Sequence, residues 1–345
     1  MSSEPSPSQY GKQAFWATHR TLEQRLQFLL PDLNWATTSV TTKTLPSNAS
    51  FVKYVRHHQL VDTRTGQTID LVEKSIRKIF FVPSLEARFY SEQGVLADSQ
   101  YFKHPTCYGV IETPWESVIF TQFVRGRAPY MHAIGSEIGR GIAEIENLSY
   151  PHLIAKDSDS IKYWVMDFFH PWYLLRPRFS YARFFKHLGK LAKNDVRFEG
   201  FEERMRAYGP QLQQLAKQAK ESPKVFCHMD YLRKNLFVSP QGLQLIDWSE
   251  VKVGRIGFDG GSYLSALFRR NEMEVFFRVR DEFIQAYLDA LSPDLDRLVA
   301  LRNMRYVFLL SSLWHCMRPE TIAEHQESFR MGLLWEKLEY LLSLQ

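Results

Sequence analysis

Residues 224–247 constrain the fold of this chain more than any other stretch, because they read as three short strands with polar groups set at their ends. Lys224-Val225-Phe226-Cys227 is an apolar run that carries His228-Met229-Asp230 into a loop. Leu236-Phe237-Val238 and Leu243-Gln244-Leu245-Ile246 form the next two strands, with the turn residues Pro240-Gln241-Gly242 between them. A hairpin of that kind brings Asn235, at its entrance, beside Asp247, at its exit.

The spacing is H-x-D-x-x-x-x-N, with a second Asp twelve residues after the Asn. Such a set of oxygen and amide groups suits phosphoryl transfer from ATP. Asp230 accepts the proton of an attacking hydroxyl, while Asn235 and Asp247 hold the Mg2+ that shields the phosphates. Magnesium takes near-octahedral oxygen ligands and keeps waters beside a few protein groups and substrate phosphates, a demand that a carboxylate with a carboxamide meets. Arg233 and Lys234 sit inside the loop and are candidates to stabilise charge on the transferring group. Solvated loop charges are the plainer reading of that pair.

The rest of the chain bounds this reading. At 345 residues it is long enough for two lobes with substantial cores. A composition of 45% hydrophobic and 23% charged residues is that of a globular protein. The net charge of +5 comes without a compact Lys/Arg run interleaved with aromatics, so nucleic acid is not an expected partner. No apolar run approaches the roughly 18–20 residues needed to span a bilayer, and no membrane insertion is expected. Residues 1–8 are polar and read as a loose tail without a signal core. Cys107, Cys227 and Cys316 are widely spaced and suggest neither disulfides nor zinc, which fits a reducing cytoplasm. No obligate protein partner is evident.

Along the chain, Tyr10, Phe15, Leu22, Leu26 and Leu29 predict an amphipathic helix from about Gln9 to Leu30, ended by Pro31. Strands follow at 38–44, 51–57 and 68–74, then a helix from Leu85 with Ser84 as its N-cap. Two more strands, 107–112 and 117–123, flank a turn at Pro114, and after Met131 the chain is mostly helical. The expected architecture is α+β: a small β-rich lobe of residues 1–123 and a larger helical lobe of 124–345 that carries the catalytic loop and acceptor site.

The motif resembles that of the aminoglycoside phosphotransferase and choline kinase superfamily, whose fold is similar to that of the protein kinases. The likeness continues through Asp247-Trp248-Ser249-Glu250, Gly254, Gly257 and Phe258-Asp259-Gly260-Gly261, which looks like the D-W-x-x…G…D-L run of that family. It implies that Asp259 braces the catalytic loop through hydrogen bonds and that His228 is a scaffold residue. It also implies a strand Lys that contacts the nucleotide phosphates and pairs with a helix Glu. Lys74, ending Leu71-Val72-Glu73-Lys74, and Glu86 are the assignment, with Glu92 the rival acid and Arg77 or Lys78 lesser substitutes for the base. The phosphate-covering loop falls at 45–51, where Ser47, Asn48, Ala49 and Ser50 are small enough for backbone N–H groups to approach phosphate. That loop has no glycine and so departs from the protein kinases. Gln122, Phe123 and Val124 fall at the lobe junction, where an adenine takes backbone hydrogen bonds.

By the same resemblance the acceptor binds in the helical lobe. The aromatic run Tyr163–Tyr173 could stack on a sugar ring or cage a quaternary amine, although packing in a core explains it as well. Residues 176–224 hold twelve Lys or Arg against five Asp or Glu, a balance opposite to what a polycationic antibiotic needs. Arg176 and Arg178 are candidates to hold an anionic group. Late helices around Trp314-His315 and Trp335-Glu336 close the lobe, with His315 read as a packed core histidine. The expected activity is an ATP- and Mg2+-dependent kinase acting on a hydroxyl of a neutral or anionic metabolite such as a sugar or sugar derivative. The alternatives are a choline/ethanolamine-type or antibiotic kinase, a protein kinase, and, from another class, a nucleotide-binding regulator without catalysis.

Overall fold

The structure, a computed structural model, describes residues 12–16, 20–47, 51–78, 84–96, 98–155, 181–240 and 242–344, apart from the side chains of 91–94, 155 and 181–184. The chain divides into two compact units, one of Met1–Ala128 with Lys234–Val251, the other of Pro129–Arg233 with Lys252–Gln345. A boundary drawn along the sequence at 123/124 differs from this at 124–128 and at 234–251. That hairpin groups with the first unit because its second strand pairs in parallel with Phe102–Lys103 and because Val238 exchanges backbone hydrogen bonds with Arg127.

In the first unit, six strands form one sheet: β1 (Lys12–Phe15), β2 (Thr38–Leu45), β3 (Val52–Asp62), β4 (Thr68–Arg77), β6 (Cys107–Glu112) and β7 (Glu116–Gln122). Their order is β1-β6-β7-β4-β3-β2, antiparallel throughout except for the β1–β6 edge. A second sheet joins β5 (Phe102–Lys103), β9 (Leu236–Ser239) and β10 (Gly242–Leu245). Side chains alternate along a strand, so β4 sends Leu71 and Glu73 to one face and Val72 and Lys74 to the other. Leu71 joins a core of Trp16, Leu26, Leu29, Leu60, Ile111, Val118 and Phe120. On the same face the fully buried Glu73 carboxylate is satisfied by Arg25, by the Tyr54 hydroxyl at 3.0 Å and by His58 Nε2 at 2.9 Å.

The helix expected over 9–30 is not continuous. Lys12–Phe15 is a strand, and α1 occupies only Leu22–Leu29. A capping box at Thr21, whose side chain accepts from the Gln24 N–H while Gln24 reaches back to the Thr21 N–H, fixes the helix start. Pairing with β6 overrides helical periodicity in the preceding segment. Gly109 makes that pairing possible, since a Cβ there would lie 2.5 Å from the Lys12 carbonyl oxygen and 2.4 Å from a Leu29 methyl. The next helix, α2 (Leu85–Glu92), is capped by Ser84, whose Oγ accepts from the Ala87 N–H at 3.1 Å.

The second unit is helical around a two-stranded ribbon of β8 (Lys224–Cys227) and β11 (Lys252–Arg255). Its helices are α3 (Gly135–Ala155), α4 (Tyr181–Asn194), α5 (Phe201–Lys220), α6 (Phe258–Arg270), α7 (Met273–Ala290), α8 (Arg297–Cys316), α9 (Pro319–Glu327) and α10 (Met331–Ser343). α3 packs on α7 and α6 on α8, around buried Phe226, Phe258, Tyr263, Phe268, Phe276, Tyr287 and Tyr306. α6 starts from Gly257 at φ +82°, where a Cβ would lie 2.2 Å from the Ala300 carbonyl oxygen. Only glycine suits both the left-handed backbone and that approach. Among the described residues no helix is long and apolar enough to cross a membrane.

Candidate active site

Within the first unit, three residues far apart in sequence meet. Lys74 Nζ donates to Asp247 Oδ1 at 2.7 Å and forms an ion pair with Glu86 Oε2, also at 2.7 Å. Lys74 comes from the β4 face opposite Glu73, Glu86 from the first turn of α2, and Asp247 from the chain just beyond β10. The Glu92 side chain lies outside the described residues. Of the two other cations considered, Lys78 pairs with Glu112 at 2.5 Å and Arg77 is exposed at the end of β4.

Burial pushes the Glu86 carboxyl up, against the pull of Lys74. Burial alone would lower Lys74, but the two carboxylates outweigh it and raise the amine above its ordinary value. Asp247 is held down at about 2: burial raises it, and the Lys74 charge and hydrogen bond, Ser249 and Lys234 more than reverse that. The Asp247 carboxylate is therefore ionised at any physiological pH. One ammonium between two acids leaves this cluster short of positive charge.

The β9–β10 hairpin has the expected geometry. Leu236 pairs with Leu245, and the Ile246 N–H donates to the Asn235 carbonyl at 2.9 Å, so Asn235 and Asp247 flank the same end. Asn235 is buried, and Asp247 adopts a left-handed backbone at φ +63° that turns its side chain out of the strand direction. The donor set of an ionised carboxylate with a carboxamide fits a hard, oxygen-seeking divalent cation. Behind Asp247, the Trp248 indole stacks on Phe89 of α2 with centroids 3.9 Å apart and planes 11° from parallel, both rings fully buried.

Ser47 is exposed just past β2, while Asn48, Ala49 and Ser50 lie outside the described residues. At the end of β7, the Gln122 N–H donates to Thr106 O at 2.8 Å and the Phe123 N–H to Asp70 O at 3.1 Å. The Phe123 ring stacks on His57. Val124 follows without regular structure before Arg127 bridges to β9.

Within the second unit, the catalytic-loop segment hangs on one carboxylate. Asp259 Oδ2 accepts from the His228 N–H at 2.8 Å and from the Tyr231 hydroxyl at 2.9 Å, and Oδ1 accepts from the Met229 N–H at 2.8 Å. Burial raises Asp259 to about 6, with those three donors acting against it. His228, fully buried, accepts the Asp230 N–H at its Nδ1, 3.2 Å away, which leaves its other ring nitrogen to carry the proton. Met229 takes φ +63°, and the Ser262 hydroxyl donates to its carbonyl at 2.7 Å. Asp230 emerges half-buried from this frame. Arg233 turns to the Pro129 carbonyl (3.1 Å) and the face of Tyr130, while Lys234 lies within electrostatic reach of Asp247.

Three supporting residues were not read from the sequence. Tyr231 and Ser262 complete the loop frame, and Glu146, in the middle of α3, accepts the Gly257 N–H at 2.8 Å and the Tyr287 hydroxyl at 2.5 Å. Burial raises Glu146 to about 8. The signal for it was present: a lone acid among Ile138, Ile142, Ile145 and Ser149 on the apolar side of an amphipathic helix. The run Tyr163–Tyr173 with Arg176 and Arg178 lies outside the described residues.

A β-sheet unit with a strand Lys, helix Glu and hairpin Asp, and a helical unit with a braced H-x-D loop, define a phosphotransferase of protein-kinase-like fold acting on a hydroxyl acceptor. The family model described as "phosphotransferase enzyme family" matches residues 118–301, more than half of the chain, and the protein belongs to that family. Among solved structures it is similar to an amicoumacin kinase in complex with AMP-PNP, Ca2+ and Ami, at 11% identity and TM-score 0.51, over 87% of this chain and 88% of that one. It is also similar to a spectinomycin phosphotransferase in complex with ADP and spectinomycin (13% identity, TM-score 0.48, 93% and 98% covered). A choline kinase from Cryptosporidium parvum Iowa II gives 13% identity and TM-score 0.46, with 91% and 89% covered. At 11% identity the likeness to the amicoumacin kinase speaks for the fold alone. No curated protein matches the sequence.

Proposed function

We propose that this phosphotransferase moves the γ-phosphoryl group of ATP to a hydroxyl of a small neutral or anionic metabolite, such as a sugar or sugar derivative. The observation that carries the reading is the Lys74–Glu86–Asp247 cluster, a cation fixed by two carboxylates with a carboxamide nearby. Lys74 would release Asp247 and take the nucleotide phosphates, while Glu86 keeps its side chain extended. Asn235 and Asp247 would hold Mg2+, which when bound neutralises charge on the phosphate oxygens. Ser47, Asn48, Ala49 and Ser50 would cover the phosphates, and the backbone of Gln122, Phe123 and Val124 would meet the adenine. The Phe123 N–H is already engaged by Asp70, so the donors and acceptors for the base would come from its neighbours.

Asp230 would orient the acceptor hydroxyl and take its proton as the new O–P bond forms and the bond to the β-phosphate oxygen breaks, releasing ADP. His228 and Asp259 would hold the loop still, and Arg233 or Lys234 would offset charge on the moving group. An ATP-consuming reaction and three buried free thiols support a cytoplasmic setting. The basic balance of residues 176–224 speaks against a polycationic acceptor.

The test is ATP consumption across hydroxyl metabolites (sugars, amino sugars, amino alcohols, antibiotics) with the wild type, Asp230→Asn and Lys74→Met. Turnover that needs Mg2+ and drops by orders of magnitude in both variants is expected. Nucleotide binding with no turnover in any arm would favour the regulator, and label transferred only to protein would favour a protein kinase.

A further inference from the structure

The helical unit contains a group of cations that the reading above does not use. The Ser262 hydroxyl on α6 touches the Met229 carbonyl, so that face of α6 fronts the loop that carries Asp230. Seven residues later, two turns or about 10.5 Å along the same stripe, stands Arg269. Long side chains on a helix lean towards its N-terminus, which inclines this guanidinium back towards Asp230. The electrostatics agree: burial and the charges of Arg270 and Arg318 lower Arg269, and the Asp230 carboxylate acts in the opposite sense.

Arg269 Nη1 lies 3.5 Å from His315 Nδ1, and His315 Nε2 lies 3.3 Å from the Thr321 hydroxyl. A guanidinium only donates, so this Nδ1 is the unprotonated nitrogen and His315 is neutral. Burial, reinforced by Arg269, Arg318 and Lys337, holds its pKa at about 3. The Lys337 ammonium, buried to 3% exposure, donates to the Arg269 carbonyl at 3.2 Å, and the Arg318 guanidinium lies over the Trp314 ring at 5.2 Å. Among the described residues, Glu320 pairs with Arg318, whereas Arg269 and Lys337 form no ion pair, Glu336 and Glu324 acting on Lys337 only at longer range. Lys337 is buried and Arg269 half-buried, and like charges drawn together away from water are costly. An arginine placed only to stabilise the fold would be expected to face a carboxylate, and this one faces a neutral imidazole.

We propose that Arg269 and Arg318 form an anion subsite for the acceptor, so that the substrate carries a carboxylate or phosphate at a distance from the hydroxyl presented to Asp230. This rests on the assignment of Asp230 to the acceptor hydroxyl, and it replaces "neutral or anionic" with anionic. His315 fixes the Arg269 head, Lys337 adds positive potential from behind, and a cationic acceptor is repelled.

Calorimetric titration of the full chain with inorganic phosphate, glycerol 3-phosphate and glycerol, each with and without saturating AMP-PNP, tests the subsite directly. With the nucleotide site filled, both anions are expected to bind and glycerol to bind at least about tenfold more weakly. Charge-assisted hydrogen bonds of this kind put the loss in Arg269→Gln and in Arg318→Gln at roughly 10- to 100-fold. Arg269→Lys should recover part of it and guards against a folding defect in the Gln variant. Equal phosphate affinity in the wild type and both Gln variants overturns the subsite, as does the absence of phosphate binding by the wild type at millimolar concentration. The Asp230 assignment fails separately, if Asp230→Asn retains ATP turnover, and the phosphate titration still decides the subsite.

Discussion

Lys74 and Asp247 stand 173 residues apart in sequence and 2.7 Å apart in the fold. Neither is held there by its partner alone. Glu86 grips the same ammonium, and the Trp248–Phe89 stack ties the segment after Asp247 to the helix that bears Glu86. The cluster is thus wired to both the β4 strand and α2, and a ligand that draws Lys74 onto phosphate changes the charge balance of two acids at once, Glu86 buried and Asp247 half-buried.

Removing that cation should therefore cost both chemistry and stability. In Lys74→Met the acids lose their shared counter-ion, and breaking a buried pair from one side costs about 3 kcal/mol or more. ATP turnover should fall at least about a hundredfold. Since burial already raises Glu86, protonation relieves the penalty first there, and the stability gap to wild type should narrow from pH 8 to pH 5 in urea titrations. A gap that is constant across that range would show that the two acids do not share Lys74 as described.

Asp259 offers two oxygens to three donors, and an amide cannot. In Asp259→Asn one nitrogen must face the His228 or Met229 N–H, a mismatch worth about 1–3 kcal/mol. We expect a fall in kcat of at least about a hundredfold with little change in the KM for ATP. Tyr231→Phe removes one of the three donors and should cost only about 0.5–1.5 kcal/mol. Steady-state kinetics and denaturation of the two variants check the ranking, and an Asn variant as active as wild type would remove Asp259 from the loop frame.

The aromatic stack behind Asp247 is a packing device with a functional consequence. Truncating a fully buried Trp typically costs about 3–5 kcal/mol, so Trp248→Ala should be strongly destabilised. The Trp248 backbone N–H also donates to Glu86, and the Ala variant retains that group, so any rise in the Mg2+ concentration needed for half-maximal activity reports the looser position of Asp247. Trp248→Phe should keep most of both properties. A Trp248→Ala variant with wild-type stability would contradict the burial of the ring.

How much of this was legible in the sequence follows the range of the interactions. The strands read at 38–44, 68–74 and 107–112, found at 38–45, 68–77 and 107–112, and the Ser84 cap were readable because local alternation and capping chemistry decide them. Lys74 with Glu86 was reachable through a family resemblance that specifies a strand Lys and a helix Glu. In the helix expected over 9–30, the segment Lys12–Phe15 was misread because Phe15 and Leu22 keep helical spacing, while the pairing of Lys12–Phe15 with a strand nearly a hundred residues away is invisible to a local window. Tyr231 and Arg269 escaped for a similar reason: an aromatic and an arginine gain meaning only from the buried groups that face them. The hairpin of Leu236–Val238 with Leu243–Asp247 was readable as a local unit, but which body it joins depends on Phe102 and Arg127.

Glu146 supplies the pH dependence that the fold should display. Its folded value of about 8 lies above the ordinary 4.5, with burial as the main cause, the Asp259 charge adding to it, and the Tyr287 hydroxyl and Gly257 N–H opposing it. The native state thus holds this proton more tightly than the unfolded chain does. Between about 4.5 and 8 the folded form binds more protons, and stability must decline as pH rises through that window. Glu146→Gln keeps an acceptor for the Gly257 N–H and offers an amide to the Tyr287 oxygen, without an ionisable proton. Its stability should match wild type near pH 5 and exceed it increasingly towards pH 8. Urea midpoints of both proteins at intervals across that range measure the difference, and parallel curves would mean that Glu146 is ionised in the folded protein at neutral pH.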